Sequence, residues 1–148
     1  MTQPEALPTA AIADLAYTPL TSAYQMMSKD EIEPVLPPPA INGGKRYFNE
    51  RQGVLFVLAM DLVRAGIKFP LAARWAVRTA EHLYGDPDAE HIHIEFRRNG
   101  AMFFFTTNEA PDAAQAAGPA RFRLTFDLAS YRTAFRDAAR AEGRNAAA

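Results

Sequence analysis

The stretch Leu36-Pro37-Pro38-Pro39-Ala40-Ile41-Asn42-Gly43-Gly44-Lys45-Arg46-Tyr47-Phe48-Asn49-Glu50 decides the fold. It reads as the end of a helix, a proline-stiffened exit, a glycine-tipped turn carrying two cations, and the start of a new helix. Proline stops a helix because it lacks an N–H and clashes with the preceding turn. Asn49 is an N-cap residue with Gln52 three positions on, the spacing of a capping box. A small basic hairpin beside a helical unit is a wing, and cations at its tip are free to meet a phosphate backbone. The solvated-turn reading, in which Lys45 and Arg46 only keep the turn wet, competes with it.

Working outward, residues 1–9 contain two prolines without periodicity and read as a loose tail. Ala10–Ala16 forms a short helix with Ile12 and Leu15 on one side. Pro19 then pushes Thr18 out of the helical region. Ser22 with Gln25 three residues later predicts a capped second helix from Ala23 to about Ile32, and Ser28 with Glu31 offers a second start. After Asn49, Val54, Leu55, Leu58, Leu62 and Val63 recur at helical spacing. Gly66 supplies a left-handed stop, and Pro70 suits the first position of the next helix. That helix carries Leu71, Trp75, Thr79 and Leu83 on one stripe and ends at Gly85.

From residue 91 the period changes from 3.6 to 2. Asn99-Gly100 between two strand-like runs predicts a hairpin with a two-residue turn. That turn would pair Phe96 with Phe103 and Ile94 with Phe105. Met102 and Phe104 would then lie on the face opposite Ile94 and Phe96, as an apolar patch for self-association or for cover by another element. Residues 108–120 read as a flexible connection. Arg121–Phe126 alternates again, and Asp127 or Ser130 caps a final helix holding Leu128, Tyr131 and Phe135. The tail from Gly143 reads as loose.

Composition narrows the function classes. The chain has 148 residues, no cysteine and a net charge of −1. The missing cysteines exclude disulfides, thiolate metal sites and cysteine nucleophiles, and fit a reducing compartment. No apolar run approaches the roughly 20 residues needed to span a bilayer, and no secretory leader is legible, so a cytoplasmic protein with no membrane partner is expected. Charge is unevenly spread. Residues 1–44 hold one cation against five carboxylates, residues 45–84 hold seven against three, and residues 85–148 hold eight against nine. A basic block in the middle of a near-neutral chain is an electrostatic footprint for an anionic partner.

The stretch from Ala10 to Tyr84 resembles the DNA-binding domain of MerR-type winged-helix regulators. Ile12-Ala13-Asp14-Leu15-Ala16 resembles the first helix of that family's helix-turn-helix, and Ser22 falls where the second helix is capped. Leu36-Pro37-Pro38-Pro39 matches the proline-bearing exit. Gly44-Lys45-Arg46-Tyr47-Phe48-Asn49-Glu50 matches the wing and following cap, and Leu62-Val63-Arg64-Ala65-Gly66-Ile67 the turn between the next two helices. The resemblance implies an α+β fold with an N-terminal winged helix-turn-helix over residues 10–84. A small C-terminal domain over residues 85–142 would follow, flanked by tails at 1–9 and 143–148. It implies a dimeric regulator of double-stranded DNA whose contacts come from Ser22, Tyr24, Gln25, Lys45, Arg46 and Tyr47. Its second helix would present Tyr24, Gln25, Met27 and Ser28. The sequence departs from the family in three ways. Asp30, Glu31 and Glu33 follow the second helix, the cysteine metal site has no counterpart, and a hairpin, strand and helix replace the long dimerising helix. An adaptor that keeps the scaffold but binds protein through the acidic second helix or the aromatic sheet is the alternative.

No Ser/His/Asp constellation, phosphate-binding glycine loop or paired catalytic carboxylate is present, so no enzyme and no cofactor are expected. His91, His93 and Glu95 share one strand face. Three ligands from one strand rarely close a tetrahedral site, so an exposed polar sheet face is the expectation and no metal site is assigned.

Overall fold

A computed structural model describes residues 6–39, 44–85, 89–97, 102–106 and 120–147. Helices and strands are mixed, with two small antiparallel sheets. The chain divides into two compact units, one of residues 1–77 and 131–148, the other of residues 78–130. That division differs from a cut near residue 85, because most of the last helix packs with the N-terminal half.

In the first unit, strand β1 (Leu7–Pro8) leads into helix α1 (Thr9–Leu15), which is followed by α2 (Leu20–Met27) and a 3-10 turn at Glu33–Val35. Strand β2 (Tyr47–Phe48) precedes α3 (Glu50–Arg64), and α4 (Phe69–Gly85) begins in this unit. β1 and β2 pair antiparallel, Leu7 with Phe48 and Pro8 with Tyr47. Both Leu7 and Phe48 are fully buried, so the expected tail is structured from Leu7 onward. The two prolines disguised it: Pro8 is extended and serves as the N-cap of α1, and Thr9 N donates to Arg46 O at 3.1 Å. The strand partner of β2 is therefore β1, and Leu36–Pro39 is not paired with it. Asn42 and Gly43, at the expected turn tip, lie outside the described residues.

Local signals held where they were self-contained. Asn49 Oδ1 accepts from Gln52 N at 2.9 Å, and Asn49 N donates to Gln52 Oε1 at 3.0 Å, completing the capping box. Gly66 has φ 99°, the left-handed stop expected of it. Others moved. α2 starts at Leu20 with extended Pro19 as its N-cap and no side-chain cap, so Ser22 lies inside the helix. Ser28 is the C-cap, its hydroxyl donating to Gln25 O at 2.8 Å, so it starts no helix. α4 begins at Phe69, one residue before Pro70.

The last helix, α5 (Leu128–Ala147), returns to this unit from Tyr131 onward. Phe135 is 1% exposed and sits against Gly53 of α3 and Ile12 of α1, where an added Cβ on Gly53 would come 2.5 Å from the ring. Only a glycine admits the ring so close. Arg136 Nε donates to Glu50 Oε1 at 2.6 Å, fixing α5 to the first turn of α3. The helix continues past Gly143 to Ala147, where a loose tail was expected.

The second unit holds a three-stranded sheet in the order β4 (Met102–Thr106), β3 (His91–Arg97), β5 (Ala120–Asp127). Ile92 and Ile94 of the central strand are fully buried. The hairpin exists, but its register differs by one residue from the expected one. Phe96 pairs with Met102, Glu95 with Phe103 and Ile94 with Phe104. An odd number of residues, 97–101, separates Phe96 from Met102, whereas a two-residue turn requires an even number. A slip of one exchanges the two faces of a strand. Phe104 therefore pairs with buried Ile94, and the argument that placed Met102 and Phe104 at a dimer interface no longer holds. On the other side, Ile92, Ile94 and Phe96 pair with Phe126, Leu124 and Phe122, the alternation expected for that strand. Asp127 Oδ1 accepts from Ser130 N at 3.2 Å and caps α5, as anticipated.

Candidate nucleic-acid interface

α1 and α2 are joined by a short connection at Ala16–Pro19. Ala23 and Met27 of α2 are buried at a spacing of four. The helix therefore turns Leu20, Thr21, Tyr24, Gln25 and Ser28 outward, all exposed. Met27 is withdrawn from the expected reading face because it fills the core. Ser22 is half-buried on the flank of α2. The outward face carries hydroxyls, an amide, a phenol and the Leu20 side chain, with no cation or carboxylate before the exposed Lys29. Such polar groups can hydrogen-bond to base edges and to phosphates alike.

Two cations come from the segment that leads into β2. Lys45 is exposed, and Tyr47 is 52% exposed. Arg46 is not the free cation that the sequence led one to expect. Its Nε donates to Pro37 O at 2.8 Å, its guanidinium lies 5.4 Å from the Phe48 ring centroid, and its Nη2 is buried without a hydrogen-bond partner among the described residues. Burial pulls its pKa below the usual arginine value, with Glu33 and Tyr24 opposing the shift. Arg46 thus fastens the wing to the proline exit. Tyr24, Lys45 and Arg46 meet around one open groove of about 570 Å³, bounded also by Pro8, Thr9 and Glu142. The structure thereby brings together three of the six expected contact residues from segments 20 residues apart. Gln25, Ser22 and Tyr47 do not line it.

A network that the sequence did not reveal braces the connection between α1 and α2. Tyr17 in its turn has φ 49° and is 85% exposed. The Arg64 guanidinium stands 5.5 Å from the Tyr17 ring centroid. Arg64 also donates to Ala16 O and pairs with Asp61. Asp61 Oδ2 accepts from the Tyr131 hydroxyl at 2.5 Å. Burial, reinforced by that hydrogen bond, raises the Tyr131 hydroxyl far above its ordinary pKa, so it remains a donor. Turn, α3 and α5 are joined in one chain of contacts. Only the spacing of Asp61 and Arg64 was visible beforehand, as a helical i,i+3 pair.

In the second unit the His91/His93/Glu95 face is not the exposed polar face expected. Glu95 is 3% exposed and pairs with Arg123, whose Nε donates to Glu95 Oε1 at 2.9 Å. His93 Nδ1 lies 2.9 Å from Thr125 Oγ1. Burial, with Arg123 and His91 nearby, lowers the His93 pKa against the opposing pull of Glu95. Among the described residues no group of three or more His, Asp or Glu side chains could hold a metal ion. None of their helices is long and apolar enough to cross a membrane. No protein-family model matches the chain, and no curated protein matches it.

Proposed function

We propose that this chain binds double-stranded DNA through a winged helix-turn-helix, with α2 as the reading helix and Gly44–Tyr47 as the phosphate-contacting wing. The observation that carries the reading is the convergence of Tyr24 and Lys45 on one groove, beside an outward α2 face of uncharged hydrogen-bonding side chains. A neutral reading face next to a cation divides the work as duplex recognition does, with phosphate contacts positioning and base contacts specifying. Gln25 can pair with an adenine edge, and Tyr24 and Lys45 reach the flanking backbone. Two half-sites read by a homodimer would multiply specificity, although the sheet register leaves the surface that would join the copies unassigned.

The test is fluorescence anisotropy with a labelled duplex. Lys45→Ala should weaken binding equally on selected and random DNA and lower the salt slope by about one unit. Gln25→Ala should weaken the selected site alone. Lys45 is the cleaner probe than Arg46, whose loss would also loosen the wing. Equal affinity of wild type and Lys45→Ala for both duplexes would refute the binding mode.

A second reading rests on its own observation. Tyr17, Leu20, Tyr24, Val35 and Tyr47 are large and apolar or aromatic, and all are at least 40% exposed. Asp30, Glu31 and Glu33 are exposed nearby in sequence. Exposed aromatics beside carboxylates suit a protein partner with a basic rim. An adaptor of that kind would give no anisotropy change on any duplex.

A further inference from the structure

α5 carries one continuous stripe at Tyr131, Phe135, Ala139 and Glu142, spaced four, four and three residues apart. That spacing places all four on the same helix face. The first three do core work. Tyr131 bonds to Asp61, Phe135 fills the space over Gly53, and Ala139 is 8% exposed. Arg136 holds the helix to Glu50 at the start of α3. The helix is thereby aimed along the unit, and its next turn delivers Glu142 to the groove that Tyr24, Lys45 and Arg46 line. The stripe that buries apolar and aromatic groups ends in a carboxylate, which lines the same groove as two cations.

We infer that the last turns of α5 are an autoinhibitory strap, with Glu142 holding a negative charge on the wall of the wing groove where a DNA phosphate would approach. The inference rests on the duplex-binding reading. A carboxylate on the wall of the groove that Lys45 and Arg46 line repels an incoming phosphate. Duplex binding then requires the end of α5 to leave the groove. The segment is suited to leaving: residues 141–143 are exposed, and Gly143 has nothing within 4 Å of a Cβ built on it. A glycine inside a helix also weakens it.

Two measurements test this, one of them independent of affinity. The chain has no cysteine, so Glu142→Cys takes a single nitroxide label. In free protein the label should broaden the amide signals of Ala10 and Lys45 most strongly, and saturating duplex should restore them. Unbroadened signals in the free protein, or signals still broadened at saturation, overturn the strap. Separately, Glu142→Gln and a chain ending at Arg140 should each bind random duplex about fivefold more tightly at low salt, as expected for removing one like charge near a phosphate. Residues 141–148 contain one Glu and one Arg, so the truncation leaves the side-chain net charge unchanged. Asp137→Asn removes the same charge from the same helix outside the groove and should leave affinity unchanged. Equal gains from Asp137→Asn and Glu142→Gln would reduce the effect to net charge and refute the strap. If wild type and all variants fail to bind while the broadening is present, the helix position stands. The duplex-binding reading then fails, and the competition with it.

Discussion

Gly53→Ala sets two opposing effects against each other at the contact that seats α5. In a helix interior alanine is favoured over glycine by about 1 kcal/mol. The new methyl, however, would stand 2.5 Å and 2.8 Å from two Phe135 ring carbons and 2.9 Å from Ile12 Cδ1. Neither neighbour can retreat to solvent, since Phe135 is 1% exposed and Ile12 fully buried. A small cavity of about 30 Å³ beside Gly53, Tyr131 and Phe135 gives the ring a little room, too little for the shift required. Overpacking of this kind costs about 1–3 kcal/mol, so after the helix gain of about 1 kcal/mol the net loss should be about 0–2 kcal/mol. Urea denaturation should show a lower midpoint with unchanged slope. In a Phe135→Leu background the obstructing ring edge is gone, and Gly53→Ala should become neutral or stabilising. The cycle should therefore show a coupling of about 1–3 kcal/mol. If Gly53→Ala stabilised the wild-type chain by the full helix increment, or had the same effect in both backgrounds, α5 would not rest on Gly53.

Three further outcomes follow from the packing and the electrostatics. Trp75 is 6% exposed, and Trp75→Ala should cost about 3–5 kcal/mol by thermal or urea unfolding, like other large core truncations. Arg123→Ala strands the buried Glu95 carboxylate and should cost about 2 kcal/mol, less than for a fully buried pair because Arg123 is half in water; Glu95→Met with Arg123→Met should recover most of it. The His93 pKa is lowered in the folded chain from its ordinary 6.5, so the unfolded chain binds the proton more readily. Stability should thus fall as pH drops below about 6.5 and level off below the folded pKa, and His93→Gln should flatten that part of the profile of thermal midpoints.

What the sequence made legible was local. The Asn49–Gln52 box, the Gly66 stop and the Asp127 cap each need only a few consecutive residues, and each formed. Ser22 and Gln25 satisfied the same spacing rule and failed, because Pro19 already supplies the extended N-cap conformation three residues earlier. The hairpin was visible in its alternation and its Asn-Gly pair. Its register was not, since one extra residue in the connection inverts a face without altering the pattern that predicts a strand. β1 spans two residues beside prolines, and only a partner 40 residues away makes it a strand. Contacts outside the local pattern hid the roles of Arg46 and Glu95. Their chemistry is set by Pro37, Phe48 and Arg123, and a wing arginine and a strand glutamate look exposed when read alone. Of the groove, Tyr24 and Lys45 were legible as surface residues, while Glu142 was not, because nothing local indicates that α5 reaches the wing.

Duplex binding itself is the central claim, and a salt series addresses it most directly. Anisotropy of a labelled random duplex of about 20 bp, titrated with the wild-type chain from about 50 to 200 mM salt, should show binding that weakens linearly in log–log form as phosphate contacts release counterions. A chain stopped at Arg140 should give the same slope at higher affinity. Absence of any anisotropy change at the lowest salt, for both proteins, would contradict the account and leave the exposed Tyr17, Tyr24 and Tyr47 to a protein partner.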